Sequence, residues 1–240
     1  MLENLNIEEI LFIDIETVPL APEYGELTDK WRKLWEHKMQ YNINNGEPVE
    51  DLYERAGIYA EFGKIICISA GYVTQKEGEF HFRVKSFHDD DEKKLISNFF
   101  NAWQKFTKAG KRRMCAHNGQ EFDFPYIARR AIVHNLKLPK ILDIAGSKPW
   151  EIKDQLIDTL QLWKFGDYKH YTSLSLLCEL FNIPTPKDDI DGSQVASIYW
   201  EENDLDRIIR YCEKDTLAVA NLLLKYKGFK IISAENMVVA

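Results

Sequence analysis

The chain has 240 residues, 45% of them apolar and 12% aromatic, which is enough to bury one large core. Its 31 basic and 38 acidic residues give a formal net charge of −7, which argues against non-specific coating of nucleic acid but leaves an enzyme acting on nucleic acid open. Stretches of about 18 apolar residues, as needed for a membrane span, and CxxC pairs are missing from the sequence. We therefore expect a cytoplasmic protein with a single domain over residues 1–240, reduced thiols and no membrane contact.

The first predicted element is a strand over Ile7 to Ile15 that ends beside two acids. Its branched apolar residues are typical of a buried strand. In FIDIET, residues 12–17, Asp14 and Glu16 are two positions apart, so both side chains lie on one face of the strand. Two neighbouring carboxylates beside a core are costly unless cations or hydrogen-bond donors face them. The sequence therefore predicts a partner for this pair.

The segment at about 19–62 is predicted to be a helical insertion. Prolines interrupt it, and LTDKWRKLWEHKM has the spacing of a helix. Trp31 and Trp35 are four positions apart and share a helical face. Two interpretations stay open for these tryptophans: packing on the body of the domain, or a mobile flap over substrate.

Strands and helices follow one another in the rest of the chain. KIICISAGYV and EFHFRVKSFH predict a hairpin that turns near Glu77 and Gly78, and DDDEKKLISNFFNAWQKF predicts an amphipathic helix. RRMCAHN predicts a short strand leading into a helix near Pro125, and DQLIDTL predicts another strand. The last predicted helices are around Leu174–Phe181, Gln194–Trp200 and Leu205–Tyr226. This order predicts an α/β fold, a mixed sheet flanked by helices.

Two later segments carry acids that the pattern of the element does not require. In HNGQEFDFPYIARR, Asp123 stands at the predicted start of a helix, where it either stabilises the helix N-terminus or belongs to a site. In IIRYCEKDTLAVANLLL, Tyr211 and Asp215 are four positions apart and share a helical face. Taken alone, Asp215 in this second segment is also explained as an exposed acid on the surface of a helix.

Taken together, DIE near the start, N-x3-F-D in the middle and Y-x3-D near the end resemble the motifs of the DEDD exonuclease superfamily in its tyrosine-bearing form. The chain resembles the proofreading exonuclease domain of family B DNA polymerases from about Ile10 to Leu224. KDDIDGSQV resembles a signature of stand-alone bacterial relatives of that domain. The histidine-bearing branch places its histidine five residues before the last aspartate, where this chain has Arg210. The resemblance implies a ribonuclease H-like fold.

The resemblance also implies a site with two divalent cations, Mg²⁺ or Mn²⁺, which suit an all-oxygen ligand set. Asp14 would bridge both ions, Glu16 and Asp215 would hold the ion beside the attacking water, and Asp123 would hold the other. Tyr211 would orient the water. In the two-metal scheme the ions are about 3.5–4 Å apart and stabilise the attacking and leaving oxygens. The implied reaction is hydrolysis at the 3′ end of single-stranded DNA, with release of nucleoside 5′-monophosphates.

Residues that contact the strand are also implied by the resemblance: Thr17, Leu20, Asn118 and Phe124. Leu20 and Phe124 are equally well explained as core residues. His117 is expected to be structural. Asp158 is expected to end a strand or cap a helix, with support of the acidic site as the alternative. Lys187 is expected at the surface, with a phosphate contact as the alternative.

Two rival functions stay open. One keeps the acids and changes the substrate to RNA, although nothing in the sequence is recognisable as a reader of the 2′-hydroxyl. The other is a non-catalytic module that binds nucleic acid or assists a partner, and its mark would be a lost carboxylate. All four carboxylates and the tyrosine are present. The sequence thus favours a DNA exonuclease and leaves protein partners unknown.

Overall fold

A computed structural model describes residues 2–110, 113–167, 171–184 and 190–240. Lys187 and the start of KDDIDGSQV lie outside these ranges. No helix in the described ranges is long and apolar enough to cross a membrane. The described strands are β1, Ile10–Pro19; β2, Gly63–Lys76; β3, Glu79–Phe87; β4, Arg113–Ala116; β5, Leu156–Asp158; and β6, Met237–Val239.

The strands form one mixed sheet in the described part of the chain, with the order β5-β4-β1-β2-β3-β6. β1 pairs in parallel with β4 and antiparallel with β2, so it lies inside the sheet. The described helices are α1, Asp29–Lys38; α2, Gln40–Asn44; α3, Val49–Tyr53; α4, Glu92–Lys108; α5, Asp123–Val133; α6, Pro149–Ile152; α7, Thr159–Lys164; α8, Leu174–Phe181; α9, Val195–Ser197; and α10, Leu205–Tyr226. The predicted α/β architecture is confirmed.

The two faces of β1 pack against different helices. Ile13 and Ile15 face a core built largely from α4 and α5. Phe12 lies on the opposite face, in a second core to which α10 contributes. Because side chains alternate along a strand, Asp14 and Glu16 share the α10 face with Phe12. The acids thus lie in the middle of an interior strand, beyond the last residue that pairs with β4 and beneath a long helix.

Two predicted boundaries differ from the structure, and one strand was not predicted. The first strand begins at Ile10 rather than Ile7, because residues 7–9 form a 3-10 turn whose N-terminus is capped by the Asn6 side chain. In DQLIDTL only β5 is a strand, because the Asp158 carboxylate accepts hydrogen bonds from the first backbone N–H groups of α7 and starts a helix there. β6 was not predicted, since three residues at a sheet edge carry little periodicity.

The helices of the 19–62 segment pack around an aromatic cluster. Trp35 is fully buried there and makes edge contacts with Tyr53, Tyr59 and Phe62 at ring-centroid distances of 5.5, 5.8 and 5.0 Å. Trp31 is 38% exposed and contacts Phe62 at 5.5 Å. Both tryptophans thus pack within the domain, which favours the first of the two interpretations.

A buried ion pair joins the two helices on the face opposite α10. Glu92, the first residue of α4, accepts hydrogen bonds from Arg130 on α5, from His134 and from the backbone N–H of Ile65. Burial raises the pKa of Glu92, but the Arg130, Ile65 and His134 donors outweigh it, so the pKa is lowered overall. The pair links α4, α5 and β2 in one network.

We expect Glu92→Ala to lower the free energy of unfolding by about 3–5 kcal/mol, because it leaves the buried Arg130 guanidinium without its partner. Urea unfolding measures this loss. Lys94→Ala, which removes an exposed pair between α4 and Asp89 in the loop before it, is the control and should leave the midpoint nearly unchanged. Equal losses in both variants would contradict the role of the network.

The same pair predicts a pH dependence. Because the pKa of Glu92 is lower in the folded state, its contribution is present above the unfolded value of about 4.3 and is lost as the pH falls through the folded value. The stability difference between wild type and Glu92→Ala should therefore shrink in acid. A difference that stays constant down to the acid transition would contradict this sign.

Candidate active site

The acidic pair of β1 lies where the ladder to β2 is interrupted. Asp14 faces Ser69 and Glu16 faces Cys67, and the register shifts between Glu16 and Thr17. Such a bulge bends a strand and re-aims the side chains next to it. Asp14 is half-buried, whereas Glu16 is only 8% exposed. The two carboxylates lie on the α10 side of the sheet without a basic residue in the ladder opposite them.

α10 delivers three side chains to this pair. The Tyr211 hydroxyl is hydrogen-bonded to the Asp215 carboxylate one turn further along the helix. The Cys212 sulfur lies 3.3 Å from Oδ2 of Asp14 and 3.4 Å from its carbonyl oxygen. Ligand atoms of Asp14, Glu16 and Cys212 all lie within 4.8 Å of one another. The spacing of four that predicted a shared face for Tyr211 and Asp215 thus brings both near the acids of β1.

Asp123 reaches the same place from the other side of the sheet. It is the first residue of α5 and is 3% exposed. Its carboxylate accepts hydrogen bonds from its own backbone N–H and from that of Ile15, the residue between the two acids of β1. The N-cap position belongs to Phe122, which makes no side-chain cap. A plain capping role therefore does not account for Asp123.

The carboxylates destabilise one another in their charged forms. Burial raises the pKa of Asp14 well above its usual value, and Asp215 and Asp123 raise it further. Burial, then Asp14, then Asp215 raise the pKa of Glu16 in the same direction. Burial, with a smaller effect of Asp158, raises the pKa of Asp123 to about 8. A cation that binds between these acids would offset their repulsion. A set of acids with raised pKa values therefore favours the binding of a cation.

Tyr211 keeps its proton in this surrounding. Burial and the negative charges of Asp215, Glu16 and Asp14 raise the pKa of its hydroxyl far above the neutral range. A tyrosine in this state is a hydrogen-bond donor at any physiological pH. Its contact with Asp215 fixes where the hydroxyl lies relative to the acids.

The residues predicted to contact the strand are not brought together. Thr17 lines a cleft of about 540 Å³ that also contains Glu16. Leu20 lies at the end of β1, where its backbone N–H donates to the carbonyl of Phe62, and does not line this cleft. Phe124 is fully buried in the core below α4 and α5. Phe122, which the sequence did not single out, lines the cleft instead.

Asn118 lies on the turn before α5. Its φ of 60° is in the left-handed region, which asparagine tolerates better than most residues. Its backbone N–H donates to Oδ1 of Asp158, whereas its own Oδ1 has no hydrogen-bond partner among the described residues. The side-chain oxygen is therefore an unused acceptor near the N-terminus of α5.

His117 and Asp158 shape the turn that carries Asn118. Nε2 of His117 donates to the carbonyl of Thr172, so Nδ1 accepts from the Thr159 hydroxyl at 2.9 Å. Burial lowers the pKa of His117 to about 4, and the ring is neutral at physiological pH. Asp158 caps α7 and also accepts from the backbone N–H of Gln120. The expectation of structural roles agrees with these contacts.

The fold and the arrangement of acids define the class of this protein: an α/β domain whose described strands form one mixed sheet flanked by helices, with an acidic site on an interior strand. The structure is similar to a family B DNA polymerase of the hyperthermophilic archaeon Pyrobaculum calidifontis, with a TM-score of 0.51 and 14% identity, over 90% of this chain and 24% of the polymerase. This similarity shows the fold. Residues 58–235 match the family described as predicted 3′–5′ exonucleases related to the exonuclease domain of PolB, and the chain belongs to this family.

A relative is found in Methanocaldococcus jannaschii, where an uncharacterised protein is 26% identical over 130 residues. The match spans 52% of this chain and 66% of that protein. The family match contains Asp123, Tyr211 and Asp215 but begins after Asp14 and Glu16. The connection of the β1 acids to the other three residues therefore rests on their geometry in the folded chain.

Proposed function

We propose that this protein is a metal-dependent 3′–5′ exonuclease that hydrolyses single-stranded DNA from its 3′ end and releases nucleoside 5′-monophosphates. One observation carries the proposal: Asp14 and Glu16 lie together on β1, and they are close enough to Asp123 on α5 and to Asp215 on α10 that those acids raise their pKa values, with the Tyr211 hydroxyl beside them. The membership in a family of predicted exonucleases supports the same class of reaction. Such clusters of strongly shifted groups are typical of reaction centres.

The donor set fits two Mg²⁺ or Mn²⁺ ions. The ligands offered are carboxylate oxygens from Asp14, Glu16, Asp123 and Asp215, which hard cations prefer. We assign Asp14 as the shared ligand because it is close to both Glu16 and Cys212 and its pKa responds to Asp215 and Asp123. When bound, such ions supply a nucleophilic water at neutral pH and stabilise charge on the leaving oxygen.

The protein's own groups then position the reactants. The Tyr211 hydroxyl, which donates its one proton to Asp215, would accept a hydrogen bond from the attacking water and orient it. Phe122 and Thr17, which line the cleft beside Glu16, would receive the terminal nucleoside. The Asn118 side chain, on the turn before α5, would donate from its amide NH2 to the neighbouring backbone of the strand.

The test of this function is cleavage of 5′-labelled single-stranded DNA and RNA of one sequence, in Mg²⁺, in Mn²⁺ and in chelator. We expect a ladder that shortens from the 3′ end, requires metal and forms faster on DNA. A faster ladder on RNA would move the assignment to an RNA exonuclease. No ladder on either polymer, with retained binding of the strand, would replace the proposal by the non-catalytic module.

A further inference from the structure

The cleft beside Glu16 has a wall that the acidic motifs do not supply. β1 contributes Glu16 and Thr17, and Phe122 contributes the edge that precedes α5. The opposite wall comes from the turn after α3, with Arg55 and Ile58. This turn belongs to the 19–62 segment, to which neither the acidic motifs nor the proposed reaction assigns a task.

We propose that the 19–62 segment forms part of the substrate site, with Ile58 packing on the terminal nucleoside and Arg55 binding a backbone phosphate of the single strand. The inference rests on the proposed exonuclease function and adds to it a substrate contact outside the acidic motifs. Three features of the turn support it: its fixed position, its exposed apolar side chain and its cation.

The turn lies close against the sheet at Gly57. A Cβ atom at this position would lie 3.1 Å from the carbonyl carbon of Val18, so a larger residue would push the turn and β1 apart by a few tenths of an ångström. The Tyr126 hydroxyl on α5 donates to the carbonyl of Gly57 at 2.8 Å, and Nη1 of Arg130 donates to the carbonyl of Ala60 at 3.0 Å. These contacts describe a built wall rather than a mobile flap.

The wall has the chemistry of a nucleotide site. Ile58 is 54% exposed and Phe122 is partly exposed, so the cleft offers apolar contacts to a base. The volume of about 540 Å³ lies in the range of sites for small ligands. The cleft lies directly beside Glu16, which is where the last nucleotide of a strand would lie during cleavage.

Among the described residues that line the cleft, Arg55 is the one with a positively charged side chain. The acidic residue Glu54, which precedes it in the chain, also lines the cleft. The Arg55 side chain is 70% exposed, and its ion pair with Glu47 is long at 3.9 Å. Such an exposed pair contributes little, so a phosphate can compete for the guanidinium. A chain with a net charge of −7 and an acidic site needs a local cation of this kind to hold a polyanion.

The experiment compares Arg55→Ala, Arg55→Lys and Ile58→Ala on two substrates, a single-stranded oligonucleotide and the p-nitrophenyl ester of thymidine 5′-monophosphate. For Arg55→Ala we expect KM on the oligonucleotide to rise about tenfold, kcat to change little and the salt dependence of binding to weaken by about one phosphate contact. The ester should be affected less, because it lacks the neighbouring phosphates. Arg55→Lys should restore most of the salt dependence.

Ile58→Ala should raise KM about fivefold on both substrates, because both carry the terminal nucleoside. Arg83→Ala, an exposed arginine on β3 away from the cleft, is the control for lost charge. The proposal is overturned if Arg55→Ala behaves like Arg83→Ala, or if it lowers kcat on both substrates without raising KM.

Equilibrium binding of labelled single-stranded DNA in Ca²⁺ separates this inference from the proposed function. If wild type binds DNA in an Arg55-dependent manner but does not cleave it, the contact stands and the exonuclease assignment fails. If wild type cleaves DNA and the Arg55 variants bind it as wild type does, the exonuclease stands and the contact fails.

Discussion

Asp14→Ala is expected to abolish exonuclease activity, with a loss of at least about 10³-fold in kcat. Asp14 lies closest to the centre of the site: its ligand atom groups with those of Glu16 and Cys212, and its pKa responds to Asp215 and Asp123. Removal of its carboxylate takes away the ligand that we assign to both ions. The release of labelled mononucleotide in Mg²⁺ and in Mn²⁺ measures the loss.

The same variant should stay folded. Because burial and neighbouring acids raise the pKa of Asp14, the charged carboxylate opposes folding of the metal-free chain. We expect the melting temperature of Asp14→Ala in chelator to equal or exceed that of wild type. Addition of Mn²⁺ should raise the melting temperature of wild type but not that of the variant, since only wild type binds the metal tightly.

Asp206→Ala is the matched control, since Asp206 is an exposed acid in the first turn of α10, the helix that carries Asp215. It should keep both its activity and its response to Mn²⁺. Full activity in Asp14→Ala would refute the assignment of Asp14 as a shared ligand. A lower melting temperature of Asp14→Ala in chelator would show that the carboxylate is stabilising and contradict the electrostatic argument.

Tyr211→Phe is expected to lower kcat by about 10²-fold while the Kd for single-stranded DNA changes less than about twofold. The substitution removes only the hydroxyl, whose contact with Asp215 holds it beside the acids. Single-turnover cleavage and equilibrium binding in Ca²⁺ give the two quantities separately. A rise in Kd as large as the fall in kcat would make Tyr211 a binding residue rather than a group that orients the water.

The pH profile offers a check on the same residue. Since burial and the neighbouring acids raise the pKa of Tyr211 far above the neutral range, its hydroxyl stays protonated there. The ratio of wild-type to Tyr211→Phe activity should therefore be constant from pH 6 to pH 9, at about the same 10²-fold value. A ratio that falls within this range would indicate that the hydroxyl titrates.

The strand and helix periods were sufficient to predict part of the site. The period of two placed Asp14 and Glu16 on one face, and the spacing of four placed Tyr211 and Asp215 on one face. Neither period shows that the face of the strand and the face of the helix meet. Taken alone, Asp123 was explained equally simply as an acid that stabilises the N-terminus of a helix. The resemblance of the three motifs joined them, and in the structure Asp123, Tyr211 and Asp215 lie near Asp14 and Glu16 on β1.

Other features depend on packing that no local pattern records. Phe122 and Phe124 flank the same acid, and only the observed start of α5 decides that the first lines the cleft and the second is core. For Cys212 the sequence predicted only a reduced thiol, although its spacing of three from Asp215 puts both on one helical face. The position of Arg55 in the cleft follows from the contact of Gly57 with β1, which involves residues far apart in sequence.

The most direct test of the central claim is a count of bound Mn²⁺. Free Mn²⁺ is measured by electron paramagnetic resonance while wild type and Asp14→Ala are titrated in the presence of single-stranded DNA with a non-hydrolysable 3′-terminal linkage. The acidic site predicts two Mn²⁺ ions per wild-type chain and a loss of this binding in the variant. Equal binding by both proteins would contradict the claim that the acids of β1 form a metal centre with those of α5 and α10.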